Sequence, residues 1–173
     1  QNIAEEVIEE IQVVEQSTTT STSTTVQSLM KRQFPFSCSA SSSLGDGWSC
    51  EKIYDNEPSS WQDKSLECAD ATLEFTFSKD VYFEFLTYEN LDDSKSFKRN
   101  FKPRDILITS EEEGFSIEYE LENQNTSTQW IDLNTTTSVI TIQILSAYPG
   151  EEVNGAEAFP ECAIQEITFY GRG

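Results

Sequence analysis

Hydrophobic residues recur at every second position over much of the chain. Leu73, Phe75 and Phe77; Val81, Phe83 and Phe85; Phe115, Ile117, Tyr119 and Leu121; Ile140, Ile142 and Ile144; and Ile167 with Phe169 all follow this alternation. A period of two is that of a strand with one face buried. Ser/Asp/Asn/Gly-rich connections separate these runs, and after residue 36 no stretch has the periodicity of a long helix. Short strands punctuated in this way predict an all-β sandwich.

The first residues read differently. Ile3, Val7, Ile8, Ile11 and Val14 share one helical stripe, with Glu5, Glu6, Glu9 and Glu10 largely between them, which predicts a short acidic helix. Residues 17–25 are nine consecutive serines and threonines, a composition that cannot pack a core and suits an extended, O-glycosylated spacer. The dibasic pair Lys31-Arg32 follows, directly before Gln33-Phe34-Pro35-Phe36. It reads either as the processing site of a secretory propeptide or as a chance pair in a linker. Aromatic and β-branched residues take over near residue 36. The expected division is therefore a disordered or propeptide-like segment over 1–32, dispensable for folding, and a binding domain over 36–173.

The 173 residues suffice for one core. With 31 acidic residues, 11 basic residues and no histidine, the formal charge is −20; removing residues 1–32 takes away five glutamates and two basic residues and leaves −17. Such a field repels phosphate backbones and so excludes nucleic acid as a partner, while it attracts calcium, mineral surfaces and basic proteins. Acidity that serves solubility alone is the plainer reading. No apolar run approaches the length of a membrane span. Gln1 in place of methionine, four cysteines without a paired C-x-x-C spacing, and sequons at Asn125 and Asn134 predict a secreted glycoprotein with two disulfides. Cys38, Cys50, Cys68 and Cys162 allow three pairings, among which the spacing does not choose.

Two segments carry a resemblance. Residues 53–61 read Ile-Tyr-Asp-Asn-Glu-Pro-Ser-Ser-Trp, and residues 163–171 read Ala-Ile-Gln-Glu-Ile-Thr-Phe-Tyr-Gly. Together they resemble the galactose-binding-like family of discoidin domains, coagulation-factor C-type domains and many carbohydrate-binding modules. In that family an Asp-Gly-x-x-x-Thr-x-Trp turn comes early and a strand with Glu and Gly closes the domain. Asp55, Trp61, Glu166 and Gly171 match; Asn56 stands for the glycine, Ser60 for the threonine, and Trp61 lies one place closer. The resemblance covers residues 38–173 and implies a jelly-roll β-sandwich. It also implies a structural calcium ion held by Asp55, Ser60 and Glu166, since calcium gathers six to eight hard oxygens from a turn and a distant carboxylate. The family topology further implies the pairs Cys68–Cys162 and Cys38–Cys50.

Sugar-binding members use loops at one end of the sandwich, where an aromatic ring stacks on the sugar. Trp48, Trp61, Tyr88 and Tyr148 are aromatics near turns; Trp61 matches the family's core tryptophan, which leaves Trp48 and Tyr148 as ligand candidates. Lys95, Lys98, Arg99, Lys102 and Arg104, interleaved with Phe97 and Phe101, form one basic stretch. It reads as a grip for sulfated glycan, carboxylate-rich polymer or lipid headgroups, with Lys98 and Arg99 as its candidates, or as a solvated crossover that balances nearby acids. Lys98-Arg99 reads equally as a second cleavage site. Without histidine, a Gly-x-Ser-x-Gly elbow or a phosphate loop, the chain is not expected to be an enzyme. Two functions remain. One is lectin-like recognition of a glycan or a cell-surface or matrix ligand; the other is an acidic extracellular matrix protein of a mineralised tissue.

Overall fold

The computed structural model describes residues 29–68 and 70–173; the expected acidic helix and the serine/threonine run lie outside the described residues. In chain order the elements are β1 (Lys31–Gln33), β2 (Ser37–Ala40), β3 (Trp61–Gln62), β4 (Thr72–Glu89), α1 (Ser94–Arg99), β5 (Lys102–Pro103), β6 (Asp105–Ser110), β7 (Ser116–Glu120), β8 (Gln129–Ile144), β9 (Ala147–Tyr148), β10 (Ala163–Ile164) and β11 (Glu166–Arg172).

The long antiparallel pair β4·β8 organises the molecule. Its register slips between Thr76 and Val81, where Ser78-Lys79-Asp80 interrupts the hydrophobic alternation. The two halves of each strand thereby join different layers. The first half of β4 pairs with β2, and the second half of β8 pairs with β6, which β7 edges. The second half of β4 pairs with β11, which β1 flanks.

The layers meet on phenylalanines. Phe75 and Phe77, from the first half of β4, lie 5.0 and 5.3 Å from the Phe169 ring of β11 in edge-on contact, and Phe77 lies 4.6 Å from Phe83. Such pairs add about 0.5–1.5 kcal/mol each beyond the area they bury. Leu73, Ile108, Ile131 and Ile140 complete the core, and Trp61 is wholly buried with its indole N–H donating to the Ser42 carbonyl at 3.1 Å. This is the expected jelly-roll sandwich. The disulfides join Cys38 to Cys50 and Cys68 to Cys162, as the family topology implied. The second closes a separation of 94 residues, for which loop entropy gives roughly 4–5 kcal/mol.

Two differences from the sequence reading bear on function. The sandwich begins at Lys31 rather than at residue 36: Lys31, Arg32 and Gln33 pair with Gly171, Tyr170 and Phe169 of β11. An edge strand of three residues is held through backbone hydrogen bonds and needs no alternating hydrophobics, so the composition carries no trace of it. The dibasic pair is thus strand, not linker, and segment 1–32 does contribute to the sheet. Second, runs 73–77 and 81–85 are one strand, and Ile140, Ile142 and Ile144 belong to a strand that already begins at Gln129, because a polar interruption can stay extended while the chain crosses between layers. Among the described residues no helix is long and apolar enough to cross a membrane.

Candidate functional site

The loops at one end of the sandwich are built around α1. Asp93 caps it, its carboxylate accepting from the Ser96 N–H at 2.7 Å. Its carboxyl end is held by Lys102, whose buried Nζ donates to the carbonyls of Phe97, Asn100 and Pro149 at 3.0, 3.1 and 3.3 Å and lies 4.8 Å from the Phe97 ring centre. Burial pushes the Lys102 pKa below the usual lysine range, and the charge of Glu151 pulls against it. Two of these carbonyls are acceptors at the helix end, and the third, of Pro149, ties the following loop to it.

Loop 149–161 then closes over α1. Gly150 makes this approach possible, since a Cβ there would lie 2.1 Å from the Arg99 carbonyl oxygen. The same carbonyl accepts from the Phe159 N–H at 2.7 Å. The Arg99 guanidinium lies 3.7 Å over the Phe159 ring and donates to the Glu157 carbonyl at 2.9 Å.

What results is a hollow of about 270 Å³ lined by Leu44, Trp48, Gln62, Ser96, Asn100, Phe159 and Glu161. Trp48 is 42% exposed and Phe159 37%. Asn100 is only 2% exposed; its Nδ2 donates to the Ser96 carbonyl at 2.9 Å, and its Oδ1 is the one buried side-chain polar atom without a hydrogen-bond partner among the described residues. A buried orphan acceptor is costly. Aromatic walls with polar groups between them are what a sugar ring requires, since one face of the ring is apolar C–H and its edge is hydroxyl.

The structure places the sequence candidates unequally. Trp48 lines the hollow, and Arg99 backs it through Phe159. Tyr148 does not reach it: the residue pairs with Lys102 in β9·β5 and its hydroxyl donates to the Leu121 carbonyl at 3.0 Å, a packing role. Lys98 is exposed, and its carbonyl accepts from the Glu151 N–H at 2.8 Å. The five basic residues do not form one patch, because Lys102 is buried, Arg99 covers Phe159 and Arg104 pairs with Asp105 at 2.8 Å. Asn125 lies at a groove rim with its Nδ2 directed to the Asp92 carbonyl, and Asn134 is exposed at a positive φ of 53°, accepting from the Tyr82 hydroxyl. Asn100, Gln62, Phe159 and Glu161 were not singled out from the sequence. Phe159, before Pro160 in a loop, was the one signal available.

The turn at Asp55 tests the calcium expectation. Arg32 donates to the Tyr54 carbonyl at 3.2 Å, the Asn56 amide oxygen at 2.8 Å and the Glu166 carboxylate at 2.6 Å. The other Glu166 oxygen accepts from the Asn56 N–H at 3.2 Å. Asp55 accepts from the Ser59 hydroxyl at 2.7 Å, the Glu57 N–H at 3.0 Å and Lys52 at 3.4 Å. The Ser60 hydroxyl accepts from Gln62 at 3.5 Å. A backbone carbonyl, an amide oxygen and a carboxylate converge as they would on calcium, but a guanidinium already holds all three. The residues present therefore do not fit the ion. Burial pushes the Glu166 pKa up to about 7, with the Asn56 N–H and the Arg32 charge working downward and the Asp55 charge upward.

No protein-family model matches the chain, and a search of the curated proteins finds no match. Solved structures do match. The family 32 carbohydrate-binding module of NanJ from Clostridium perfringens, solved in complex with galactose, aligns with a TM-score of 0.57 at 14% identity over 78% of this chain and 92% of that one. An F5/8 type C domain from Bacteroides fragilis aligns at 0.53 and 12% identity over 79% and 91%. A truncated AlyQ, which joins such a module to an alginate lyase domain, aligns at 0.58 and 12% identity over 84% of this chain and 34% of that one. The chain thus has the fold of galactose-binding-like domains.

Proposed function

We propose that the chain is a non-catalytic, extracellular glycan-binding module that engages a terminal sugar in the hollow between Trp48 and Phe159. The observation that carries this reading is a cleft with two half-exposed aromatic walls and the polar residues Gln62, Ser96 and Glu161 between them. Those polar groups would meet sugar hydroxyls while the ring stacks on Trp48. Two disulfides and the sequons at Asn125 and Asn134 suit an oxidising, secretory compartment, and the galactose complex of NanJ shows that a domain of this fold can take a sugar. A glycan array probed with the wild type, Trp48→Ala and Phe159→Ala tests it. Each variant should lose about tenfold or more in affinity for at least one terminal-sugar glycan that the wild type retains. Retention unchanged in both variants would remove the hollow from recognition.

A further inference from the structure

The outer face of the layer β1–β11–β4–β8 carries aromatics where a solvated sheet face calls for polar residues. The register aligns Glu166 with Glu89; Thr168 with Thr87 and Trp130; and Tyr170 with Phe85 and Asp132. Three rings from three strands thus stand together. Phe85 lies 4.8 Å from both Trp130 and Tyr170, and the Trp130 and Tyr170 planes are inclined by 21°. Trp130 is 60% exposed, the most exposed tryptophan of the chain.

Beside this shelf runs a groove of about 420 Å³, closed at one edge by Arg32 and the 56–58 turn. It meets a second hollow of about 360 Å³ through shared walls at Glu89, Asp92, Thr128 and Gln165 and reaches Asn125. From the Glu166/Glu89 row to the Tyr170/Phe85 row is four residues of strand, about 13 Å. Cross-strand ring pairs would stabilise the sheet without any ligand, but that role leaves unexplained why the largest ring stays mostly exposed beside an elongated trough.

We infer that this trough is a second binding site, distinct from the hollow at α1, and that it takes an uncharged oligosaccharide lying along the strands. The shelf offers π faces to the C–H faces of sugar rings. The Glu89 carboxylate, which accepts one bond from the Thr128 hydroxyl at 2.8 Å, and the Asp92 carboxylate at the rim are acceptors for sugar hydroxyls. Charge complementarity selects neutral chains. Carboxylates from Glu57, Glu89 and Asp92 line the trough, and its one lining cation, Arg32, is already engaged by Glu166. A uronate or sulfated polymer would be repelled.

Native affinity electrophoresis tests the site, with gels containing galactomannan, xyloglucan, mixed-linkage β-glucan, alginate or dextran sulfate. The wild type should be retarded by at least one neutral polymer and by neither anionic one. Trp130→Ala should weaken that retardation about tenfold or more, while Glu113→Ala, exposed and outside the linings of both the trough and the α1 hollow, should leave it intact. Because Trp130 is mostly exposed, Trp130→Ala should keep a cooperative melt near that of the wild type, which separates lost binding from lost fold. A complementary readout uses Trp48→Phe, in which the remaining indoles are buried Trp61 and exposed Trp130. Adding mannohexaose or cellohexaose should blue-shift its emission. Absence of retardation in every neutral gel, retardation by the anionic gels, or equal retardation of Trp130→Ala and the wild type would overturn the site. Loss of binding in Trp48→Ala but not in Trp130→Ala would leave only the α1 hollow.

Discussion

Replacing Arg32 by alanine withdraws the guanidinium from three oxygens that tie the 53–61 turn to the last strand. The cost divides into two parts. The hydrogen bonds to the Tyr54 carbonyl and the Asn56 amide are partly exposed, and their loss should cost about 1 kcal/mol at any pH. The Glu166 part depends on pH. Its pKa rises from an ordinary 4.5 to about 7 on folding, so the folded state binds the proton more tightly than the unfolded chain does. Stability from this group is complete below pH 4.5 and falls as pH rises towards 7, by up to about 3 kcal/mol.

Losing an opposite charge at contact distance raises a carboxyl pKa by about 1–3 units more. In Arg32→Ala the fall therefore continues through pH 8, adding about 1.4 kcal/mol there and almost nothing at pH 5. The expected destabilisation is about 1 kcal/mol at pH 5 and about 2.5 kcal/mol at pH 8. For a domain of this size that is a Tm loss of a few degrees at pH 5 and roughly twice as much at pH 8. Thermal melts of both proteins at the two pH values measure it. Equal losses at pH 5 and pH 8, or no loss at all, would refute the argument that a partly buried ion pair joins the turn to β11.

Calcium and magnesium at equal concentration should shift the wild-type Tm equally by screening; a rise specific to calcium and lost in Asp55→Ala would return an ion to the turn. A chain beginning at Gln33 should melt several degrees below one beginning at Leu29, because it lacks Arg32 and two of the three β1 pairs; identical melts would make β1 dispensable. Lys102→Met leaves three carbonyls without their donor and should cost about 3 kcal/mol in urea titration with an unchanged m value.

Much of this architecture was legible because burial on one face forces a period of two. Phe75, Phe83 and Phe169 could be assigned to the core from their spacing, and each is fully buried. The two candidate sites were less legible, since contacts between distant segments leave no local pattern. Arg32 meets Glu166 across a sequence separation of 134 residues, and nothing near either residue names the other. Tyr148 shared with Trp48 its type and its place near a turn, but a two-residue pairing with β5 turns its hydroxyl to Leu121. Phe159 reaches the hollow only because Gly150 lets its loop lie on the Arg99 carbonyl. Trp130 carries no local signal of a site in the sequence. Its outward side follows from Ile131 and Leu133 pointing inward, yet only the neighbouring strands show that Phe85 and Tyr170 stand beside it.

The same physics explains how so acidic a domain can hold its recognition loops still. The described cations in these loops are mostly used internally: Arg32 on Glu166, Arg99 on Phe159, Lys102 on helix-end carbonyls and Arg104 on Asp105. The first three each fix one segment to another, whereas Arg104 pairs only with its neighbour in sequence. The carboxylates left over face solvent and the trough, where they repel anionic polymers but remain acceptors for neutral hydroxyls. α1 links the two candidate sites. Asp92, just before its cap, lines the trough, and Asn100, just after its end, lines the hollow. Six helical residues rise about 9 Å, so the sites lie about one short helix apart. Lys102, which anchors that helix, is therefore the residue through which a single substitution should disturb both.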